Sequence, residues 1–262
     1  MVALLILPAL AITVTLCYAS VLDIRERRVP FRTWYPMLAV SLPFTAFFYG
    51  RLLYEGTTMT AAYFAVLALI FSAIFYSFAY FRLFGGADAW ALIFISFCIP
   101  AFPFPPLLGI PPLGFLPFSV LANAVILNLV TPAGIFLSNL KAGNRAPWPY
   151  MFLGFPVEGE RISEAYGFVM EEIAEDDGRI HRRFLGITEA LRGMMSGTGR
   201  IYTLDLRRHP LEYAVERARY AKAGKVWISY GVPFIVPITA GLISALLIGD
   251  LIVGLLGVLY GI

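Results

Sequence analysis

Phe84-Gly85-Gly86-Ala87-Asp88 lies where one long apolar run, residues 63–81, ends and another, residues 89–99, begins. An ionisable side chain at the depth or edge of a membrane costs free energy, and a functional role is the default reading for it. Gly85 and Gly86 stand just before the carboxylate and carry no Cβ, so backbone and partner helices can approach it closely. Working outward, the first apolar run of the chain also closes on an aspartate, Asp23. Two carboxylates brought together repel each other when both are ionised, so one becomes an acid and the other a base.

Composition sets the frame for these residues. Of the 262 residues, 59% are hydrophobic and 14% charged, whereas soluble domains hold roughly 45–50% apolar and about 25% charged residues. The chain reads as a multi-span membrane protein. Cys17 and Cys98 both sit in apolar runs, far apart, and form no CxxC pair. His181 and His209 have no acidic or cysteine neighbours at ligand spacing, so no metal site and no cofactor are expected.

Residues 2–22 are long enough to cross a bilayer core, which takes about 20 residues. No Lys or Arg precedes Arg25, so this run reads as a retained first helix rather than a cleaved signal. Arg25, Arg27, Arg28 and Arg32 then mark the following loop as cytoplasmic by the positive-inside rule, which leaves Met1 outside. Further spans are expected near residues 34–49, 60–81, 89–101 and 118–137. Counting them returns Asp88 to the same face as Asp23. Residues 100–117 contain seven prolines and no charge, as expected of an apolar, non-helical external loop. Asn123 and Asn128 read as interhelical hydrogen-bonding residues.

Residues 141–225 hold 14 of the 20 Lys and Arg and 12 of the 17 acidic residues. They are expected to form a small, β-rich soluble domain. Strands are predicted over 152–162, 166–173, 179–185 and 200–206, the last after the turn Ser196-Gly197-Thr198-Gly199, with a helix over 210–222. The acidic run Glu171, Glu172, Glu175, Asp176 and Asp177 is a candidate surface for a basic segment of a partner. The chain re-enters the membrane at Val226, and Gly231, Pro233 and Pro237 make the start of this last span irregular. Irregular backbone at that depth is tolerated beside protein or water. Asp250 falls at the opposite face and reads as a boundary residue. The apolar tail, residues 251–262, is too short to span alone.

Leu22-Asp23 before a basic loop, Gly85-Gly86-Ala87-Asp88 and Pro233-Phe234-Ile235-Val236-Pro237 together resemble the type IV prepilin peptidase family. The likeness is greatest to the archaeal branch that processes preflagellin (archaellin) and pilin precursors. It implies that Asp23 and Asp88 are a catalytic pair and that Gly85, Gly86, Ala87, Gly231, Pro233 and Phe234 support them. Ala87 departs from the general Gly-x-Gly-Asp pattern, where glycine stands. It further implies a membrane aspartic endopeptidase whose substrates are archaellin or type IV pilin-like precursors with a short basic leader. The acidic run from Glu171 to Asp177 would then recruit that leader. Without a cysteine cluster or a methyl-donor loop, peptidase activity alone is expected.

The expected architecture is an all-α membrane bundle of about six transmembrane helices, with the β-rich cytoplasmic domain inserted before the last span. The divisions are 1–140 for the first five helices, 141–225 for the soluble domain, and 226–262 for the last helix and tail. Lipid bilayer is an expected partner and nucleic acid is not. A proton- or cation-coupled transporter using the same aspartates as a relay accounts for costly carboxylates and broken helices. It accounts less well for both carboxylates sharing one face. A presenilin-type protease shares the Gly-x-Gly-Asp element, and the arginines at 25–32 argue against its orientation.

Overall fold

The computed structural model describes residues 2–81, 84–176, 179–186, 188, 189, 192, 201–229 and 233–260. Two predicted site residues, Asp177 and Gly231, and the predicted turn at 196–199 lie outside the described residues. In chain order, helices α1 (Ile6–Glu26), α2 (Tyr35–Tyr54), α3 (Thr58–Tyr80), α4 (Gly86–Cys98) and α5 (Leu116–Asn128) come first. Helices α6 (Val130–Lys141) and α7 (Trp148–Leu153) follow, then strands β1 (Gly154–Glu158), β2 (Glu171–Asp176) and β3 (Arg179–Phe184). Helices α8 (Thr203–Arg208) and α9 (Ala214–Ala223), strand β4 (Lys225–Ser229), and helices α10 (Ile235–Leu247) and α11 (Leu251–Tyr260) complete the order. Two compact units result: Met1–Leu129 with Pro233–Ile262, and Val130–Val232.

In the first unit, α1 buries Ile12, Leu16, Ala19 and Ser20, a stripe at helical spacing that Asp23 continues. Helix α4 is buried almost all round, through Ala89, Ala91, Leu92, Ile93, Phe94, Ile95, Ser96 and Cys98, which makes it the central helix of the bundle. Gly241 of α10 lies against the backbone of α5, where an added Cβ would meet the Val120 carbonyl oxygen and the Ala124 amide. The proline-rich loop packs on this bundle: Leu107 and Leu108 donate N–H groups to the carbonyls of Leu247 and Ile248, at 3.0 and 2.8 Å. Those carbonyls lie at the C-terminal end of α10 and have no partner within a helix.

Four stretches among the described residues are long and apolar enough to cross a membrane: Val2–Glu26, Phe31–Tyr54, Thr58–Tyr80 and Leu116–Lys141. The pair Ile235–Leu247 and Leu251–Tyr260, bent by 58°, brings the number to five if it is one span. The expected count of about six therefore meets four or five. The difference is α4, whose 13 residues reach about 20 Å against a hydrocarbon core of about 30 Å.

In the second unit, β1 pairs antiparallel with β4, from Gly154 opposite Ser229 to Glu158 opposite Lys225. Strands β2 and β3 form an antiparallel hairpin, from Glu171 opposite Phe184 to Asp176 opposite Arg179. Ile162, Val169, Ile173, Leu206, Tyr220, Val226 and Ile228 fill the core beneath them. Gly154 and Gly167 pass so close to the carbonyls of Ile228 and Ser229 that no side chain fits at either.

The unit contains β-structure without being β-rich, and several expected elements change. Residues 203–208 are helical, with Tyr202 making an isolated bridge to Phe168. The strand expected over 152–162 ends at Glu158 and gives way to a 3-10 helix, Gly159–Glu164. Trp227, Ile228 and Ser229 belong to β4, and the last long helix starts at Ile235. A short apolar run such as Val226-Trp227-Ile228 reads the same to hydropathy whether it enters a bilayer or a buried strand.

Candidate active site

Asp23 lies in the last turn of α1, half-buried. The helix closes at Arg27, which takes a left-handed conformation (φ 54°) and donates its N–H to the Asp23 carbonyl at 3.1 Å. The Arg27 charge also acts on the Asp23 carboxyl group. Asp88 sits in the first turn of α4, where a carboxylate suits the positive end of the helix dipole. Its side chain folds back over Gly85, so a Cβ at Gly85 would fall on Asp88 Oδ2. A Cβ at Gly86 would meet nothing, which makes Gly85 the tighter of the two glycines. Ala87, half-buried, packs its methyl group against the bundle core.

The structure brings these segments to one end of the first unit. Asp88 is within electrostatic reach of Asp23 and of the backbone N–H of Ile235. Ile235 opens α10, so this N–H is one of the donors a helix start leaves without an internal partner. Phe234 packs edge-on against Phe84 with ring centroids 5.1 Å apart, which holds the Pro233-Phe234 segment beside the Gly-Gly-Ala-Asp stretch. The sequence reading missed the Ile235 donor because a backbone group has no letter of its own. It also missed a buried hydroxyl pair, Ser20 Oγ and Thr239 Oγ1, 2.8 Å apart. Its one sequence signal is that each lies one helical turn from a site group.

Asp250 occupies the other end of α10 and is buried. Its Oδ2 accepts from the Ser119 hydroxyl at 2.8 Å, and its Oδ1 accepts from the N–H groups of Ile252 and Val253. Asn123 completes the cluster, donating to the Gly249 carbonyl and Ser244 Oγ and accepting from the Leu251 N–H.

The acidic run belongs to the second unit. Glu171 is turned inward: both its oxygens accept from Arg182 Nη2, at 3.0 and 2.7 Å, and Oε2 accepts the Trp227 N–H. This carboxylate ties β2, β3 and β4 together and is not displayed to solvent. Glu172 pairs with Arg183 and Glu175 with Lys222 at the surface, and Asp176 is exposed. Among the described residues no group of three or more His, Cys, Asp or Glu side chains is gathered as metal ligands would be.

Two carboxylates that feel each other, with a backbone donor near one of them, are equipped to pass a proton to and from a reacting group. The model of the type IV leader peptidase family matches residues 10–140, and that of the archaeal peptidase A24 C-terminus, type II, matches residues 146–251. A preflagellin peptidase of Methanocaldococcus jannaschii is 23% identical over 257 residues, covering 94% of this chain and 96% of the relative. The two matched regions between them take in Asp23, Asp88 and Asp250 as well as most of the second unit, and on them the chain belongs to the type IV leader peptidase family and is a peptidase.

Proposed function

We propose that Asp23 and Asp88 are the catalytic pair of an endopeptidase that removes short basic leaders from archaellin or type IV pilin-like precursors. The carrying observation is that segments 65 residues apart in sequence bring their carboxylates within electrostatic reach, beside the Ile235 backbone N–H at a helix start. Such a pair holds one proton between its members. The ionised member takes a proton from the attacking water. The protonated member polarises the scissile carbonyl and then serves the departing amine. The two apparent pKa values belong to the pair as a whole. Hydrolysis of one peptide bond needs no covalent intermediate on this route.

Pro233 and Pro237, which interrupt regular backbone pairing at the start of α10, support binding of an extended substrate segment there, as sheet edges do elsewhere. Arg25, Arg27, Arg28 and Arg32 support a cytoplasmic location for this end of the bundle. A basic leader retained in the cytoplasm ahead of a hydrophobic helix in the bilayer brings its cleavage point to that boundary. Glu172, Glu175 and Asp176 supply the negative surface for recruiting the leader, with Glu171 held inside.

The test is cleavage of a tagged precursor by the purified protein in detergent, with product mass identifying the cut. The wild type is expected to cut at the leader junction, and Asp23→Asn and Asp88→Asn are expected to be inactive. A single asparagine variant that cuts at near wild-type rate ends this reading.

A further inference from the structure

Ser20 and Thr239 take no part in the acid–base chemistry, yet they join the helices on which it depends. Ser20 lies three residues before Asp23 on α1, and Thr239 four residues after Ile235 on α10. Each is therefore one turn from a group of the site and shares its helix face. Both side chains are buried, and their oxygens are 2.8 Å apart. Thr239 Oγ1 is also 2.8 Å from the Ile235 carbonyl oxygen and 3.3 Å from that of Leu16.

A threonine hydroxyl has one proton to give. Donating it to the nearer carbonyl, of Ile235, leaves Thr239 Oγ1 to accept the proton of Ser20. The bridge then runs from α1 to the first residue of α10, whose backbone N–H is within electrostatic reach of Asp88. Leu16 and Ala19 on α1 and Ile238 and Leu242 on α10 are buried in the same apolar core. Apolar side chains of this kind tolerate sliding. A hydroxyl–hydroxyl bond does not, because it is lost by about 3.6 Å.

We propose that Ser20 and Thr239 are positioning residues for leader cleavage. Their bridge fixes the register of α1 along α10, and through it the separation of Asp23 from Asp88. The proposal rests on the reading of Asp23 and Asp88 as the catalytic pair. A misplacement of about 1 Å can cost about 100-fold in rate, so one bond here acts on turnover more than on folding.

The experiment compares kcat, KM and thermal unfolding in one detergent for Ser20→Ala, Thr239→Val, the double variant and Thr239→Ser, with Asp23→Asn and Asp88→Asn alongside. Ser20→Ala and Thr239→Val are each expected to lower kcat about 10-fold with KM within about twofold, and the double variant to lose no more than the worse single. Thr239→Ser keeps the hydroxyl and is expected to recover kcat to within about threefold of wild type. A purely structural pair would instead lower the unfolding temperature and leave kcat of the folded protein alone. Ser20→Ala removes a single oxygen, so it decides the matter if Thr239→Val does not fold. Inactive asparagine variants beside hydroxyl variants of unchanged kcat, or a loss that Thr239→Ser fails to recover, overturn the bridge alone. Asparagine variants that still cleave overturn the catalytic-pair reading, and the bridge proposal with it.

Discussion

The two ends of α10 treat a carboxylate in opposite ways. At the far end, Asp250 meets a hydroxyl and two backbone N–H groups, and caps the start of α11 as an N-cap residue does. At the near end, among the described residues, Asp88 is within reach of the Ile235 backbone N–H and of the charge of a second aspartate. Both sites read alike in sequence, as a small residue, an aspartate and an apolar helix. The difference shows that burial among apolar helices does not by itself mark a working carboxylate. A carboxylate whose oxygens are filled by donors is a structural part, whereas one held beside another carboxylate keeps its capacity to exchange a proton.

The contrast breaks first if the aspartates are interchangeable. Asp23→Asn and Asp88→Asn are each expected to lower kcat by about 1,000-fold or more, and the double variant by no more than either single, since residues acting as a unit are not additive. Asp250→Asn, which keeps an acceptor for the α11 amides, is expected to cleave at the wild-type rate. A loss at Asp250→Asn equal to that at Asp88→Asn would erase the distinction. Gly85→Ala sharpens the near end, because its methyl group displaces the Asp88 carboxylate. A fall in kcat of about 10- to 100-fold is expected with the unfolding temperature unchanged, following the cost of misplacing a reacting group.

Asp250→Ala sharpens the far end. Loss of the cap is expected to cost about 1–2 kcal/mol, lowering the unfolding temperature by about 2–4 °C per kcal/mol. Leader cleavage by the folded protein should stay within about twofold of wild type, since no group of the pair is disturbed. Smallest is the surface effect: neutralising Glu172, Glu175 and Asp176 together is expected to raise KM about twofold at low salt and to have no effect at about 1 M salt. An unchanged KM and an unchanged salt dependence would remove the recruiting role.

The places of both aspartates at the ends of apolar runs, the glycines before Asp88 and the apolar first helix were legible from residue type and run length. The bounds of α4 were harder to judge than its length: the expected run, 89–101, is as long as the helix Gly86–Cys98 but starts later, because a helix apolar on every side has no periodicity to show where it begins or stops. Trp227 misled for a related reason, since a short buried strand and the start of a span share one composition. Glu171 stands two residues from Ile173, and strand alternation carries both to the inner face. Reading the acidic run as one solvated patch overlooked that period. Ser20 and Thr239 are ordinary hydroxyl residues in apolar helices until their separation in space is known.

Gly241 has a mechanical consequence. With no side chain between them, α10 and α5 rest backbone on backbone and act as the stator of the bundle. On the proposed reading of Asp23 and Asp88, rearrangement that admits a substrate helix belongs to α1 or α4, which carry them, and the proposed hydroxyl bridge is the latch on the α1 side. A wedge driven between α1 and α10 would release that latch while leaving the frame intact. An inhibitor aimed at that seam need not resemble a peptide at all.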